Sequence, residues 1–219
     1  MSQTILFLLL NGTGQTLWMV VAATSIALTV GLPLGIILCI TRKGFFSENL
    51  LIHRLLAIVV NTTRSIPFII LMIAVIPFTR LIIGTSIGTG AAIVPLSLCA
   101  MPFIARVVEN ALLEVQPGLI EAATAMGASA SQIITKVLLP EALPSIINGI
   151  TLTTVNLVGY SAMAGAVGGG GLGDIAIRYG YQRFDINIML VTIFIMIVIV
   201  QAIQMLGDSI VKKLIHCRQ

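Results

Sequence analysis

Ile186–Gly207 reads INIMLVTIFIMIVIVQAIQMLG, and no Asp, Glu, Lys or Arg interrupts it. A helix needs about 20 predominantly apolar residues to cross the hydrocarbon core of a bilayer. A charge at the bilayer centre costs roughly 2.5 to 3.5 kcal/mol on insertion scales, so uncharged windows of this length locate spans. The same rule leaves four more windows: Met1–Thr41, Ser65–Thr79, Leu81–Ala105 and Ala142–Gly173. Ser65–Thr79 is short, but Arg64 and Arg80 at its ends can snorkel toward opposite headgroup layers. The expectation is an all-α, polytopic integral membrane protein with about five transmembrane helices, near 15–40, 65–83, 88–110, 145–167 and 186–208. Leu50–Asn61 is apolar but too short to span, and reads as an interfacial helix leading into the second span.

Composition agrees with a lipid solvent. Of 219 residues, 58% are hydrophobic and 9% charged, and mean hydropathy is +1.09. A soluble domain carries about 25% charge; this chain could not cover itself with a wettable surface. Its twelve basic residues are too dispersed for a nucleic-acid patch. They sort instead by side. With the N-terminus outside, the inner segments hold Arg42, Lys43, Arg54, Arg64, Arg106, Lys136, Lys212, Lys213 and Arg218, and the outer ones only Arg80, Arg178 and Arg183. Nine against three satisfies the positive-inside rule. The C-terminus and the 106–143 segment are then cytoplasmic.

Cys39, Cys99 and Cys217 show no paired spacing, so neither a disulfide frame nor a zinc site is implied. His53 and His216 read as interfacial or tail residues. Met1–Asn11 lacks a basic n-region and no small-residue cleavage site follows, so no secretory signal is expected. Breakers are frequent in the spans: Gly31, Pro33 and Gly35, then Pro67 and Pro77, then Pro95 and Pro102. Gly31-x-x-x-Gly35 and Gly165-x-x-x-Gly169 have the spacing that lets helices approach closely. A bundle that bends or rocks suits this pattern better than a static anchor.

The 106–143 segment is the least membrane-like part. It holds Glu109, Glu114, Glu121 and Glu141, half of the acids. Pro117-Gly118 signals a turn, a short helix should follow, and Gly127 is a fitting C-terminal stop. A second helix, Ser129 to Leu138, leads into Pro140. Alanines at 122, 123 and 125 give the first helix a low profile that another backbone could approach.

Here a resemblance becomes specific. Glu121-Ala122-Ala123, three residues, Gly127, nine residues, then Val137-Leu138-Leu139-Pro140 resembles the EAA loop of ABC-importer permeases (E-A-A-x3-G-x9-[IV]-x-L-P) at every defined position. The resemblance implies a coupling helix that docks on a separate ATP-binding subunit. Glu121 would be the polar anchor, Ala122 and Ala123 the close-contact face, and Gly127 the bend. Pro140, with Pro144, would set the angle into the fourth span. The stretches Asn61–Phe68, Tyr160–Gly165 and the glycine run 168–171 ahead of Leu172-Gly173 are similar to the methionine-importer permeases within that family. That likeness implies a single transmembrane domain over 1–219, with a core at about 13–208 and a coupling loop at about 114–141. It also implies a bacterial inner-membrane location and an assembly of two copies of this chain, two ATP-binding subunits and an extracytoplasmic methionine-binding lipoprotein. ATP and Mg would belong to the partner ATPase, and the chain itself would be no enzyme and carry no cofactor or metal.

Other motifs fail on context. Gly168-x-Gly170-x-x-Gly173 has the dinucleotide spacing without the strand and βαβ frame that give it meaning. No P-loop sequence occurs, so energy must come from a partner or an ion gradient. Gly171-Leu172-Gly173-Asp174 has the form of an intramembrane aspartyl-protease element, but that chemistry needs a second carboxylate. Asp185, in an outer loop, and Asp208, at the inner end of the last span, are poorly placed to supply it. No HExxH or GxSxG occurs. No span carries a midplane charge, which disfavours a proton relay or ion-coupled carrier and suits an apolar or zwitterionic solute. Met163, beside Ser161 and Ala164, is the candidate gate, with Tyr160 and Asn156 as polar contacts one or two turns away. Helix count alone leaves a secondary transporter or channel open, and the resemblance leaves another small amino acid open as substrate.

Overall fold

The computed structural model describes residues 3–216. Cys217 and Arg218, read above as an idle thiol and an inner positive charge, lie outside the described residues. Within them every regular element is helical: α1 (Gln3–Ile40), α2 (Leu50–Ser65), α3 (Phe68–Ala74), α4 (Ile76–Ile83), α5 (Thr89–Leu113), α6 (Pro117–Ala125), α7 (Ala130–Ile133), α8 (Leu139–Ala166), α9 (Gly171–Ile175) and α10 (Ile186–His216). Two π turns, Ile134–Leu138 and Ala176–Tyr181, lead out of α7 and α9.

Four helical runs are long and apolar enough to cross a membrane: α1, α5, the run Ala130–Ala166 and α10. The fifth expected span is broken. Pro67 forces Ile66 out of the helical region, to φ −81° and ψ 125°, so α2 ends there and α3 departs at 104°. Pro77, in the first turn of α4 where its missing N–H is not needed, marks a second break. The predicted span 65–83 falls on α3 and α4, whereas the bent pair apolar enough to span together is α2 with α3. The helix expected at Leu50–Asn61, read above as interfacial, is α2, which runs on to Ser65. Asn49 caps it by accepting from Ile52 N at 3.2 Å. Only Val60 of α2 is buried, and Leu51, Leu55, Ile58 and Val59 stay exposed.

The first span differs too. Expected from residue 15, α1 begins at Gln3 and has 38 residues, about 57 Å at 1.5 Å per residue. Its polar stretch Asn11–Gly14 stays helical because neighbours hold it. Leu9 packs with Ile175 and Ile188, and Thr13 returns its hydroxyl to the Leu9 carbonyl at 2.8 Å.

The core forms where α1 lies on α5. A Cβ on Gly31 would sit 2.9 Å from Ile104 Cβ and from the Met101 carbonyl oxygen, and one on Gly35 would sit 2.5 Å from the Ala105 carbonyl oxygen. The Gly31-x-x-x-Gly35 pair is thus a notch that receives α5, as its spacing predicted. Gly165-x-x-x-Gly169 does a different job. It admits no long helix; Gly165 lies against the backbone of Gly173 and Asp174, and Gly169 against Ala164. The chain reverses there through Gly168, Gly170 and Gly171, all at positive φ, and α1 secures the turn. Gln15 Oε1 accepts from Gly171 N at 2.8 Å and Thr16 Oγ1 from Leu172 N at 2.9 Å. The glycine run therefore builds a tight reversal, with no strand before it.

Candidate functional site: the α6 hairpin and the open face of α8

Between α5 and α8 the chain forms a helical hairpin. Pro117 occupies the first turn of α6. The helix stops at Gly127, where φ is +79°. Ala128 N donates to the Ala123 carbonyl at 3.0 Å and Gly127 N to the Thr124 carbonyl at 2.9 Å. This pair of bonds is a Schellman closure, which glycine alone enters without steric cost. Ser129 then opens α7 with a capping box: its Oγ accepts from Gln132 N at 3.4 Å, and Gln132 Oε1 accepts from Ser129 N at 2.8 Å. Ile133 and Leu138 anchor α7 and the π turn in the core. The hairpin is also pinned at its base, where Ser145 Oγ donates to Glu114 Oε2 at 2.9 Å and so links the ends of α5 and α8.

The residues singled out on this hairpin separate by orientation. Glu121 and Ala122 are exposed. Ala123 is not; at 4% exposure it packs into the chain's own core. The expected contact face of paired alanines is corrected accordingly, because adjacent helical residues point about 100° apart and only Ala122 faces outward. Gly127 is the stop its sequence position suggested. Pro140 does not make a corner. The Leu139 N–H reaches back to the Ile134 carbonyl, and this wider π turn ahead of Pro140 lets helicity run from Ala130 to Ala166. Met126, an undefined position of the motif, is 82% exposed at the tip of the hairpin, an outward apolar side chain that the motif itself does not mark.

The four pathway residues also divide. Met163 is 47% exposed and Asn156 is exposed. Tyr160 is half-buried, its ring stacked on Phe68 with centroids 4.8 Å apart. Ser161 is 1% exposed and gives its hydroxyl to the Val158 carbonyl at 2.7 Å. It faces the core and is withdrawn from the solute-contact set. Met163 and Asn156 belong to one exposed stripe of α8, Asn148, Leu152, Asn156, Gly159, Met163 and Ala166, at the three- and four-residue spacing of a single helix face. Asparagine and glycine on the open side of a membrane helix face water or another protein, not acyl chains. The cavities beside this helix, about 10 Å³ at Thr153–Tyr160 and about 30 Å³ at Ala164–Gly169, hold no more than one or two waters.

Arg106 and Glu109 form an ion pair near the C-terminal end of α5. Asp174 is paired with Arg178 at 2.8 Å, so its partner is a cation and not the second carboxylate a protease would need. Among the described residues, no three His, Cys, Asp or Glu side chains cluster as metal ligands would.

An all-α bundle of membrane-length helices, interrupted by one short hairpin whose low-profile helix turns Glu121 outward, suits a transport component. The chain belongs to the family of binding-protein-dependent transport system inner membrane components, whose model matches residues 31–216. It is 59% identical over 209 residues to the "Probable D-methionine transport system permease protein MetI" of Vibrio cholerae, covering 95% of this chain and 93% of that one. It is 54% identical over 165 residues to the D-methionine transport system permease protein MetI of Escherichia coli K12, covering 75% and 76%. Among solved structures it superimposes on a chain of the inward-facing MetNI methionine ABC transporter with a TM-score of 0.96 at 50% identity, covering 98% of this chain and 99% of that one. A chain of an amino acid ABC transporter solved with histidines shares the fold, at a TM-score of 0.77 and 17% identity over 94% of both chains.

Proposed function

We propose that this chain is the permease of an ATP-driven methionine importer, working as two copies with two ATP-binding subunits and an extracytoplasmic binding lipoprotein. ATP and Mg are bound by the ATP-binding subunits. The N-terminus lies outside and the α6 hairpin in the cytoplasm. The observation that carries the reading is the α6 hairpin, a rigidly closed helix whose Glu121 and Ala122 face away from the chain between two membrane-length helices. A 50% identical chain from a methionine ABC transporter with nearly the same backbone supports the substrate class.

The route for the solute runs along the open stripe of α8, between two copies. The water-sized cavities beside that helix favour this over a route through one chain. At the stripe Met163 acts as an apolar gate, with Asn156 and the Tyr160 ring as contacts for a zwitterion and its side chain. The gate needs no titrating group, which fits a motor on another subunit.

The test is reconstitution of permease, ATP-binding subunit and binding protein in liposomes with labelled methionine. Uptake is expected only with ATP inside, and Glu121→Lys should abolish it while membrane insertion survives. Uptake that persists without the ATP-binding subunit would mean a secondary transporter. Competition by other small amino acids decides the substrate.

A further inference from the structure

We infer that the ATP-binding subunit grips this chain at two elements, α6 and the loop between α1 and α2, by inserting an apolar side chain into the groove between them. The inference rests on the coupling role proposed for α6 and goes beyond it. The groove measures about 720 Å³ and is lined by Phe45, Phe46, Leu113, Val115, Ile120 and Glu121, among others. That is the size of a small-molecule pocket.

The loop that forms one wall is well held. Gly44 turns the chain at φ +87° and donates its N–H to Glu48 Oε2 at 3.0 Å. Asn49 N closes back on the Thr41 carbonyl at 3.0 Å. The ring centroids of Phe45 and Phe46 are 6.2 Å apart at a 55° tilt. Phe45 packs against the main core, and Phe46, 36% exposed, stands at the mouth. The opposite wall is α6 itself, through Glu121, Thr124 and Ala125.

That shared wall identifies the occupant. Glu121 is both an outward residue of α6 and part of the groove lining, so a protein that docks on α6 covers the groove as well. An exposed apolar pocket continuous with a docking surface is where a partner's anchor residue belongs. Glu121 is the one charged residue of the lining and makes no ion pair among the described residues. The fitting partner group is an aliphatic or aromatic side chain with a Lys or Arg beside it. The consequence is mechanical. Motion of the ATP-binding subunit enters α1 and α2 directly, in addition to α5 and α8. His53 Nδ1 lies 3.0 Å from the Leu38 carbonyl oxygen, so α2 is tied to the end of α1.

The test uses the assembled transporter with the photo-cross-linking residue p-benzoylphenylalanine at Phe46. On irradiation the ATP-binding subunit, identified by its P-loop peptide, is expected in the adduct. Adducts only with lipid or with the second permease copy overturn the inference. Independently, Phe46→Asp should lower the ATP-binding subunit retained on purified, monodisperse permease at least tenfold, and Phe46→Leu should restore it. Undiminished retention in Phe46→Asp overturns the inference. Glu121→Lys separates the two claims. If it releases the ATP-binding subunit while both Phe46 probes give nothing, the groove is wrong and the coupling role stands. If all three give nothing, the coupling role falls with it.

Discussion

Arg106 of α5 reaches across to Asn61 of α2, donating from Nη2 to Oδ1 at 2.7 Å, while its Nη1 lies 2.5 Å from the carboxylate of Glu109. Glu109 is 1% exposed, one turn along the same helix. Three residues apart on a helix is contact distance, so the pair forms locally and Asn61 is the long-range partner. One turn further along α2, the Arg64 guanidinium lies 4.8 Å from the Phe103 ring centroid. Helix α2 has only Val60 buried, so these two contacts do much to fix where it sits on α5.

Removing the arginine should therefore cost more than a surface charge would. A buried carboxylate that loses its partner typically destabilises by about 3 to 5 kcal/mol. Because Arg106 is partly exposed, Arg106→Ala is expected near the lower end, about 3 kcal/mol, as a lowered melting temperature of the detergent-solubilised protein. Arg106→Ala with Glu109→Gln should recover part of the loss, since a neutral amide is cheaper to bury. If the double variant is no more stable than the single one, the pair does not carry this cost.

The α1–α5 notch gives a prediction with an internal control. Gly35→Ala places a Cβ against the Ala105 carbonyl oxygen and Val108, while Gly14→Ala in the same helix meets nothing within 4 Å. Overpacking costs about 1 to 3 kcal/mol, and alanine is a better helix former than glycine by about 1 kcal/mol. Gly35→Ala should melt several degrees lower and Gly14→Ala unchanged or slightly higher. Equal melting points would show that the notch is not tight in the folded protein.

The spans were legible because exclusion of charge from lipid is a one-dimensional rule, and Ile186–Gly207 obeys it residue by residue. The Gly127 stop was legible because a left-handed position favours glycine by local sterics. Three things were hidden. The break at Val75 between α3 and α4 has only Pro77 as a local sign, and proline is also at home in the first turn of a helix, so Ser65–Thr79 read as one short span. The inward turn of Ala123 follows from where the hairpin lies on the core, which neighbouring alanines do not encode. Phe46 and the groove join segments far apart in sequence, and no local pattern brings Phe45–Phe46 to Ile120 and Glu121.

Gly127 also offers a test of whether the hairpin must be rigid. A non-glycine residue in the left-handed region costs about 1 kcal/mol or more, with asparagine the mildest. Gly127→Val should loosen the closure at Ala123 and Ala128, increase proteolytic cutting between Met126 and Ser129, and lower coupled uptake severalfold. Gly127→Asn should fall between Val and the natural residue. Cutting that does not change with the substitution would mean that the bond pair at Ala123 and Thr124 does not hold the hairpin.

The last prediction concerns Met163 and its neighbour but one. Ser161 and Met163 are two residues apart, so they point to different sides of α8: Ser161 into the core with its hydroxyl on the Val158 carbonyl, and Met163 outward. A flexible, unbranched thioether can seal an irregular opening, and in the gate proposed above shortening it would open the path. Met163→Ala in liposomes is therefore expected to raise ATP-independent leak of labelled methionine, with the folded protein intact by gel filtration. Ser161→Ala removes only a hydroxyl already satisfied within its own helix and should leave the leak unchanged. If both variants leak, general loosening of α8 explains the effect. If neither does, the seal lies elsewhere along the stripe, and Asn156 and Leu152 become the positions to substitute.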